Sequence, residues 1–358
     1  MPGRGIDQIL PKPCDPLIYE SYIRSAADYV QLAERRFGRI PKPVDPGYIW
    51  GSLPDDLDSR DCDLRIVNLE TAITCRGQHA PKGINYRMSP DNASVLKAAR
   101  IDACTLANNH VLDWGETGLI DTLSVLDRLD VKRAGVGRTK EEAATPAALG
   151  QSTKGRVLLL AFGHGSAGVP REWKAGSDQP GIAILPDNPE EAAALVRART
   201  APVRRSNDIV VVSVHWGGNW GYTIPHWQKR MAHALIDAAK VDLVFGHSSH
   251  HPKGIEIYHD RLILYGCGDL INDYEGIGGH EAYHPDLGLA FVIDIDTNTG
   301  RLSGVEIIPY IRRAFSLARP DEGTIQWLVD MLMRESHLMG WRMQRSDGSI
   351  HMQRVIQI

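Results

Sequence analysis

The sequence contains no run of about eighteen apolar residues, the length a helix needs to cross a bilayer. Its opening residues, MPGRGIDQILPKPCDP, lack the apolar core of a signal peptide. Basic residues are not in excess: 40 Lys and Arg stand against 44 Asp and Glu, for a net charge of −4. That balance gives no footprint for a phosphate backbone, and nucleic acid is not an expected partner. Cysteine is scarce. The five residues, Cys14, Cys62, Cys75, Cys104 and Cys267, are odd in number, far apart and never in a CxxC pair. Neither a disulfide framework nor a cysteine zinc site is therefore expected, and a reducing compartment fits best. The chain as it stands reads as cytoplasmic with no membrane segment, and as extracytoplasmic if a signal or anchor lies upstream of Met1. HExxH, a Walker loop with Gly-Lys-Ser/Thr, a GxSxG elbow and any 20–50-residue repeat are also missing from the sequence.

What is present is a globular composition, 43% hydrophobic over 358 residues, enough to bury a sizeable core. Short β-branched runs alternate with longer amphipathic segments, which predicts an α/β fold. The predicted strands are LRIVN (64–68), DACTLA (102–107), RVLLLAF (156–162), IVVVSV (209–214), DLVF (242–245), LILYG (262–266), LAFVIDI (289–295) and GVEIIPY (304–310). Most are apolar throughout, as strands covered on both faces are. Apolar stripes predict helices over 116–130, 226–240 and 321–338, and Asp347-Gly348 predicts a hairpin turn between alternating residues. Long irregular stretches at 71–90, 163–187 and 268–288 follow strands and carry Gly, His and aromatic residues, so they read as loops around a site. One domain over 1–320 is expected, with a helix and hairpin at 321–358 packed on it.

Polar residues suited to metal binding recur directly after the apolar strands, where neighbouring strand ends converge on one crevice. RIVNLE delivers Asn68 and Glu70, CTLANNH delivers Asn108, Asn109 and His110, VVVSVHWG delivers His215, and DLVFGHSSHH delivers His247, His250 and His251. One such histidine is more often structural than a ligand; four strand ends of this kind point to a metal centre. Imidazole, carboxamide and carboxylate without thiolate suit Mn, Fe or Zn. A carboxylate such as Glu70 can bridge two ions, which makes hydrolysis the first hypothesis.

The ordered motifs NLETAIT, TLANNHVLDWG, VVVSVHWGGNW, GHSSHHPKGIEIY and LILYGCGDLINDYEG resemble those of the CapA-type poly-γ-glutamate capsule-synthesis proteins, within the calcineurin-like metallophosphoesterases. The resemblance runs through most of the chain to about residue 320. It implies a four-layer α/β/β/α sandwich with a centre of probably two divalent ions at its strand ends. It also implies metal ligation by Glu70, Asn109, His215 and His247, with His110 as acid or hydrogen-bond donor and His250 as the second histidine of its motif. The family pattern places a Gly-Asp strand end, whose aspartate is a metal ligand, just ahead of this chain's first segment. A missing first strand is therefore expected.

Further candidates surround this set. His164 and Trp216 follow strands and are candidates to line a substrate cleft, and Arg4 and Arg87 offer forks for a carboxylate or phosphate, although solvated arginines are the commoner outcome. Asn68 and Asp269 are candidates to orient the ligands from behind. The resulting expectation is a metal-dependent hydrolase that uses a metal-bound hydroxide on a phosphoester or a γ-glutamyl amide, with an anionic polymer or peptide as substrate and capsule-synthesis machinery as partner. Two alternatives remain: a metal-dependent peptide Cα epimerase, and a non-catalytic polymer-binding or assembly component.

Overall fold

The structure, a computed structural model, describes residues 1–150 and 155–355. It is a mixed α/β protein with eight α-helices among the described residues. The largest sheet has six strands in the spatial order Ile255–Tyr258, Arg261–Leu264, Leu243–His247, Ile209–His215, Val157–Gly163 and Ala147–Leu149. Its four inner strands are parallel. The Ile209–His215 strand is buried along its whole length, as its unbroken apolar run predicts. Alternate residues feed two cores. Leu159, Ala161 and Val211 enter the larger cluster, whereas Leu158, Leu160, Phe162, Val210, Val212 and Val214 face the helices Pro189–Thr200 and His226–Ala239.

A second, parallel sheet contains Ile66–Asn68, Ala103–Thr105 and Lys132–Ala134. It meets the first across the large cluster, and Ser213 on one sheet donates to Thr105 Oγ1 on the other at 3.2 Å. Covering it is the helix Gly115–Arg128, whose buried stripe of Leu119, Leu123 and Leu126 was legible from spacing.

The C-terminal hairpin, Trp341–Ser346 and Ser349–Arg354, turns at Asp347-Gly348 and extends the sheet of Leu287–Ile295 and Leu302–Arg313, with Val305 opposite Met352. The helix Glu322–Glu335 precedes it, capped by the Asp321 carboxylate accepting from Thr324 N–H at 2.8 Å. Five helices escaped the sequence reading: the short Leu53–Asp58, Ser94–Ala98 and Lys140–Ala144, and two longer ones. Ala26–Phe37 is capped by Ser25, and Pro189–Thr200 opens with an Asn188 cap, a first-turn Pro and two Glu. Their caps were readable, but in the second a run of alanines blurs the apolar stripe.

The expectation of unpaired cysteines is corrected. Cys14 and Cys75 form a disulfide across 61 residues; Cys62, Cys104 and Cys267 are free. The buried Asp7 carboxylate draws the partners together: it accepts from Cys14 N–H at 2.8 Å, Ser89 N–H at 3.0 Å and Asn92 Nδ2 at 2.7 Å. Thr74 N–H then donates to Met88 O at 2.9 Å, which brings Cys75 alongside. No helix among the described residues is long and apolar enough to cross a membrane.

Candidate metal centre

The strand register builds the centre. His215 and His247 end adjacent parallel strands and are register partners, with Gly163 opposite His215 on the other side. Both imidazoles point into the space between the two sheets. From the facing sheet, Glu70 follows Ile66–Asn68 and Asn109 follows Ala103–Thr105. Glycine before His247 is obligatory, because a Cβ on Gly246 would lie 2.2 Å from Trp216 Nε1 and 2.5 Å from the Tyr265 carbonyl oxygen. Just after His247 the chain bends sharply: Ser248 is held at φ +119°, a conformation side-chain-bearing residues rarely adopt and one typical of functional sites.

Glu70, His215 and His247 are buried, and each offers a ligand atom within 4.8 Å of the others. His215 Nδ1 and His247 Nδ1 lie 2.7 Å apart. Because Ser213 gives its hydrogen to Thr105, its oxygen accepts from His247 Nε2, 2.7 Å away. His247 Nδ1 then accepts from His215, so His215 Nε2 carries a lone pair. That lone pair faces Asn109 Oδ1 at 3.1 Å and Glu70 Oε1 at 4.0 Å. Three acceptors turned on one another repel unless a cation lies among them, and the set fits a divalent ion of the Zn, Mn or Fe type. Burial keeps both histidines neutral as a ligand must be, pushing His247 down to about 3 and His215 well below the ordinary value, the latter aided by the nearby His110 and His250.

Asn68 sits behind the carboxylate, its Nδ2 donating to Glu70 Oε2 at 2.9 Å, and Asn108 in turn donates to Asn68 Oδ1 at 3.1 Å. His110 is buried beside the centre. Its Nδ1–H donates to Asp113 Oδ2 at 2.7 Å, and that same oxygen accepts Tyr86 N–H at 2.6 Å. Lys82 completes the group, 2.5 Å from Asp113 Oδ1. The Tyr86 ring meets His110 edge-on with centroids 4.5 Å apart. His250 is held likewise: Nδ1 lies 2.9 Å from Asp269 Oδ2, which also accepts from Asn272 Nδ2 at 2.8 Å.

Burial disfavours the charged forms of both His250 and Asp269, yet their mutual attraction prevails, raising the histidine and holding the carboxyl down to about 2. The sign follows. The pair's contribution to stability is full between the ordinary carboxyl value of 3.8 and the ordinary imidazole value of 6.5. It fades as pH rises through the raised His250 value or falls through the lowered Asp269 value. In histidine NMR titrations of the metal-free protein, the His250 midpoint is expected above 6.5 and below it in Asp269→Asn. An unmoved midpoint would refute the coupling.

Four candidates are not brought to the cluster. Trp216 is buried on the helix-covered face, donating Nε1–H to Tyr265 O at 3.0 Å. His164 lies on that same face, stacked on Trp227 with Nε2 3.1 Å from Asp187 Oδ1. Both alternate with a residue that points inward, so the strand period sends them outward. Arg4 is neither solvated nor open to substrate: it is 2% exposed, pairs with Asp273 at 2.5 Å and Glu20 at 2.6 Å, and lies over the Tyr29 ring. Arg87 donates to Asp15 O at 2.8 Å and covers Trp114. Conversely, Lys82, Asp113 and Tyr86 were missed. Asp113 had a signal, its i+3 spacing from His110 in a turn; Lys82 and Tyr86 arrive from the irregular 71–90 loop, which has no period to read.

Residues 1–274 match the family model described as bacterial capsule synthesis protein PGA_cap. The chain is 42% identical over 344 residues to a probable polyglutamine synthesis accessory protein of Mycobacterium tuberculosis, covering 96% of this chain and 90% of that protein. It is 27% identical over 216 residues to the PGA biosynthesis protein CapA of Bacillus subtilis, covering 60% of this chain and 54% of that one. With the capsule biosynthesis protein CapA of Bacillus anthracis it shares 28% over 197 residues, 55% of this chain and 46% of that one. Motifs, length of match and identity agree: the chain belongs to the bacterial capsule synthesis protein family PGA_cap.

Proposed function

We propose that this chain is a metal-dependent hydrolase serving polyglutamate synthesis, acting on a phosphoester or a γ-glutamyl amide. The observation that carries the reading is the trio of facing acceptors, His215 Nε2, Asn109 Oδ1 and Glu70 Oε1. Glu70, Asn109, His215 and His247 would hold the divalent ion or ion pair, His247 by exchanging its Nδ1 bond to His215 for the ion. Such an ion supplies Lewis acidity to the scissile oxygen and lowers the pKa of an attacking water. His110, fixed by Asp113 through Nδ1, is left with Nε2 free to exchange a proton with the leaving group. Asp269 favours the charged form of His250, which would offer a cationic donor to an anionic substrate. Two sheets facing across one core, each with helices outside, support the four-layer metallophosphoesterase reading.

The test is metal per chain by elemental mass spectrometry, followed by turnover of p-nitrophenyl phosphate and γ-glutamyl-p-nitroanilide with and without added Mn or Zn. Metal-dependent release from either substrate is expected. A second reading, a binding component without catalysis, is favoured by the word "accessory" in the name of the Mycobacterium tuberculosis relative. A metal-replete chain that binds polyglutamate and releases product from neither substrate would establish that reading and sink the first.

A further inference from the structure

On the helix-covered face of the large sheet, outside the candidate metal cluster, a serine, a histidine and an aspartate stand in contact. His164 follows the strand Val157–Gly163 and opens the short helical turn Gly165–Ala167. Its imidazole is buried and stacks on the Trp227 ring, with centroids 4.7 Å apart. Ser166 is exposed, and its Oγ lies 2.8 Å from His164 Nδ1. Neighbouring donors settle where the hydrogens are. Ser166 N–H donates to Nδ1 at 3.2 Å, so that nitrogen carries the lone pair and the hydroxyl must be the donor in its own contact with it. Gly217 N–H donates to Ser166 Oγ at 2.9 Å. The ring's hydrogen is then on Nε2, 3.1 Å from Asp187 Oδ1.

The aspartate is the loosest member. Its side chain is 73% exposed, it shares Arg171 at 3.5 Å, and it makes no hydrogen bond to the buried Nε2. It therefore serves as a nearby charge that favours imidazolium rather than as a fixed acceptor. Capping of the turn by His164 accounts for the backbone bond to Nδ1. It does not call for the shorter bond from the hydroxyl, nor for the Gly217 N–H at the hydroxyl oxygen. Together these aim an exposed O–H at a neutral base, the arrangement that activates a serine nucleophile, and such sets are recognised by geometry rather than by order in the chain. The surroundings leave room for a reactant. Gly165 is exposed, and a Cβ on it would meet nothing within 4 Å. Its N–H, next to the serine, has no protein acceptor among the described residues and is a donor available to an oxyanion.

We propose that Ser166, His164 and Asp187 form a second, metal-independent nucleophilic site that takes acyl groups from small carboxylic esters. Ser166 Oγ attacks the ester carbonyl carbon while its proton passes to His164 Nδ1. The carbon–oxygen bond to the alcohol breaks, and the departing alkoxide takes that proton. Water then attacks the acyl-serine, giving one proton back to Ser166 through His164 and releasing the carboxylic acid. The sum is ester plus water to acid plus alcohol, with no oxidant, reductant or metal. None of this rests on the proposed function of the metal centre.

The experiment treats the full chain, in EDTA, with an alkyl fluorophosphonate, which forms a phosphorus–oxygen bond to an activated serine as fluoride leaves. Peptide mass spectrometry locates the adduct and its rate of formation is followed. A single adduct on Ser166 is expected, slowed by about a hundredfold or more in His164→Gln, the scale of a positioned base. A loss of only severalfold is expected in Asp187→Asn, because an exposed charge is screened. Hydrolysis of p-nitrophenyl acetate in EDTA should fall to the background rate in Ser166→Ala. No adduct, an adduct at other residues only, or an equal rate in His164→Gln would overturn the site and leave Ser166 as a turn residue. Should His164→Gln not fold, the unaltered chain decides when labelled in urea: a rate about a hundredfold below the folded one supports the site, and an equal rate overturns it. A chain labelled at Ser166 in EDTA but without metal-dependent turnover keeps this inference and loses the metal hydrolase. Metal-dependent turnover with an inert Ser166 does the reverse.

Discussion

His110→Ala is expected to lower turnover by roughly two to four orders of magnitude, the range for a positioned general acid, with metal content unchanged. The separation of effects follows from the geometry. His110 contributes nothing to the trio of facing acceptors. Its Nδ1 is committed to Asp113 at 2.7 Å, and Asp113 is itself anchored by Tyr86 N–H and Lys82. Removing the imidazole would therefore take away the proposed proton donor without touching the groups that would hold the ion. Asp113→Asn is a sharper companion: it keeps the ring and withdraws the carboxylate that selects the tautomer, so activity falls while elemental analysis still finds the metal. Turnover unchanged in His110→Ala would exclude this histidine from the chemistry. Metal lost in that variant would instead make it a ligand.

Reducing the Cys14–Cys75 disulfide, or replacing the exposed Cys75 by Ser, is expected to lower the free energy of unfolding by about 4 kcal/mol, the loop-closure term for a separation of this size. The separation is 61 residues. The bond ties the N-terminal segment to the loop that begins a few residues after Glu70 and carries Lys82 and Tyr86 to His110. Urea unfolding with and without dithiothreitol measures the effect. Thiol titration of the denatured, unreduced protein checks its premise: three reactive thiols are expected of the five cysteines. Five reactive thiols, or an unmoved urea midpoint, would remove the disulfide from the account of stability.

The sequence revealed most where the fold repeats itself. Eight apolar runs were legible as strands, six of them because a doubly covered parallel strand can tolerate little else and two as members of the antiparallel pair Leu287–Ile295 and Leu302–Arg313, and the candidate centre was legible because strand ends in a parallel sheet converge. Spacing failed where contacts join distant loops. The 61 residues between Cys14 and Cys75 are bridged by the Asp7 carboxylate, and a buried aspartate in a Pro-rich start carries no local signal. Arg4 looked like a substrate fork because a guanidinium in isolation reads as exposed. Its partner Asp273 is 269 residues away. Trp216 and His164 were misplaced for a simpler reason: they are one position past residues that face inward, and a strand's period of two sends them to the opposite face.

The pairing of His215 with His247 across two hydrogen-bonded strands makes the centre a readout of alignment. If either strand slipped by a single residue, its imidazole would turn out toward the helices while an apolar residue took its place between the sheets. Such a slip would expel core side chains along the whole strand, so misaligned chains are disfavoured by packing before any ligand is involved. Assembly of the centre is in this way proofread by the hydrophobic core. A chain that has completed its sheet correctly has, by the same step, completed the cradle of imidazoles, with no separate maturation of the protein part required.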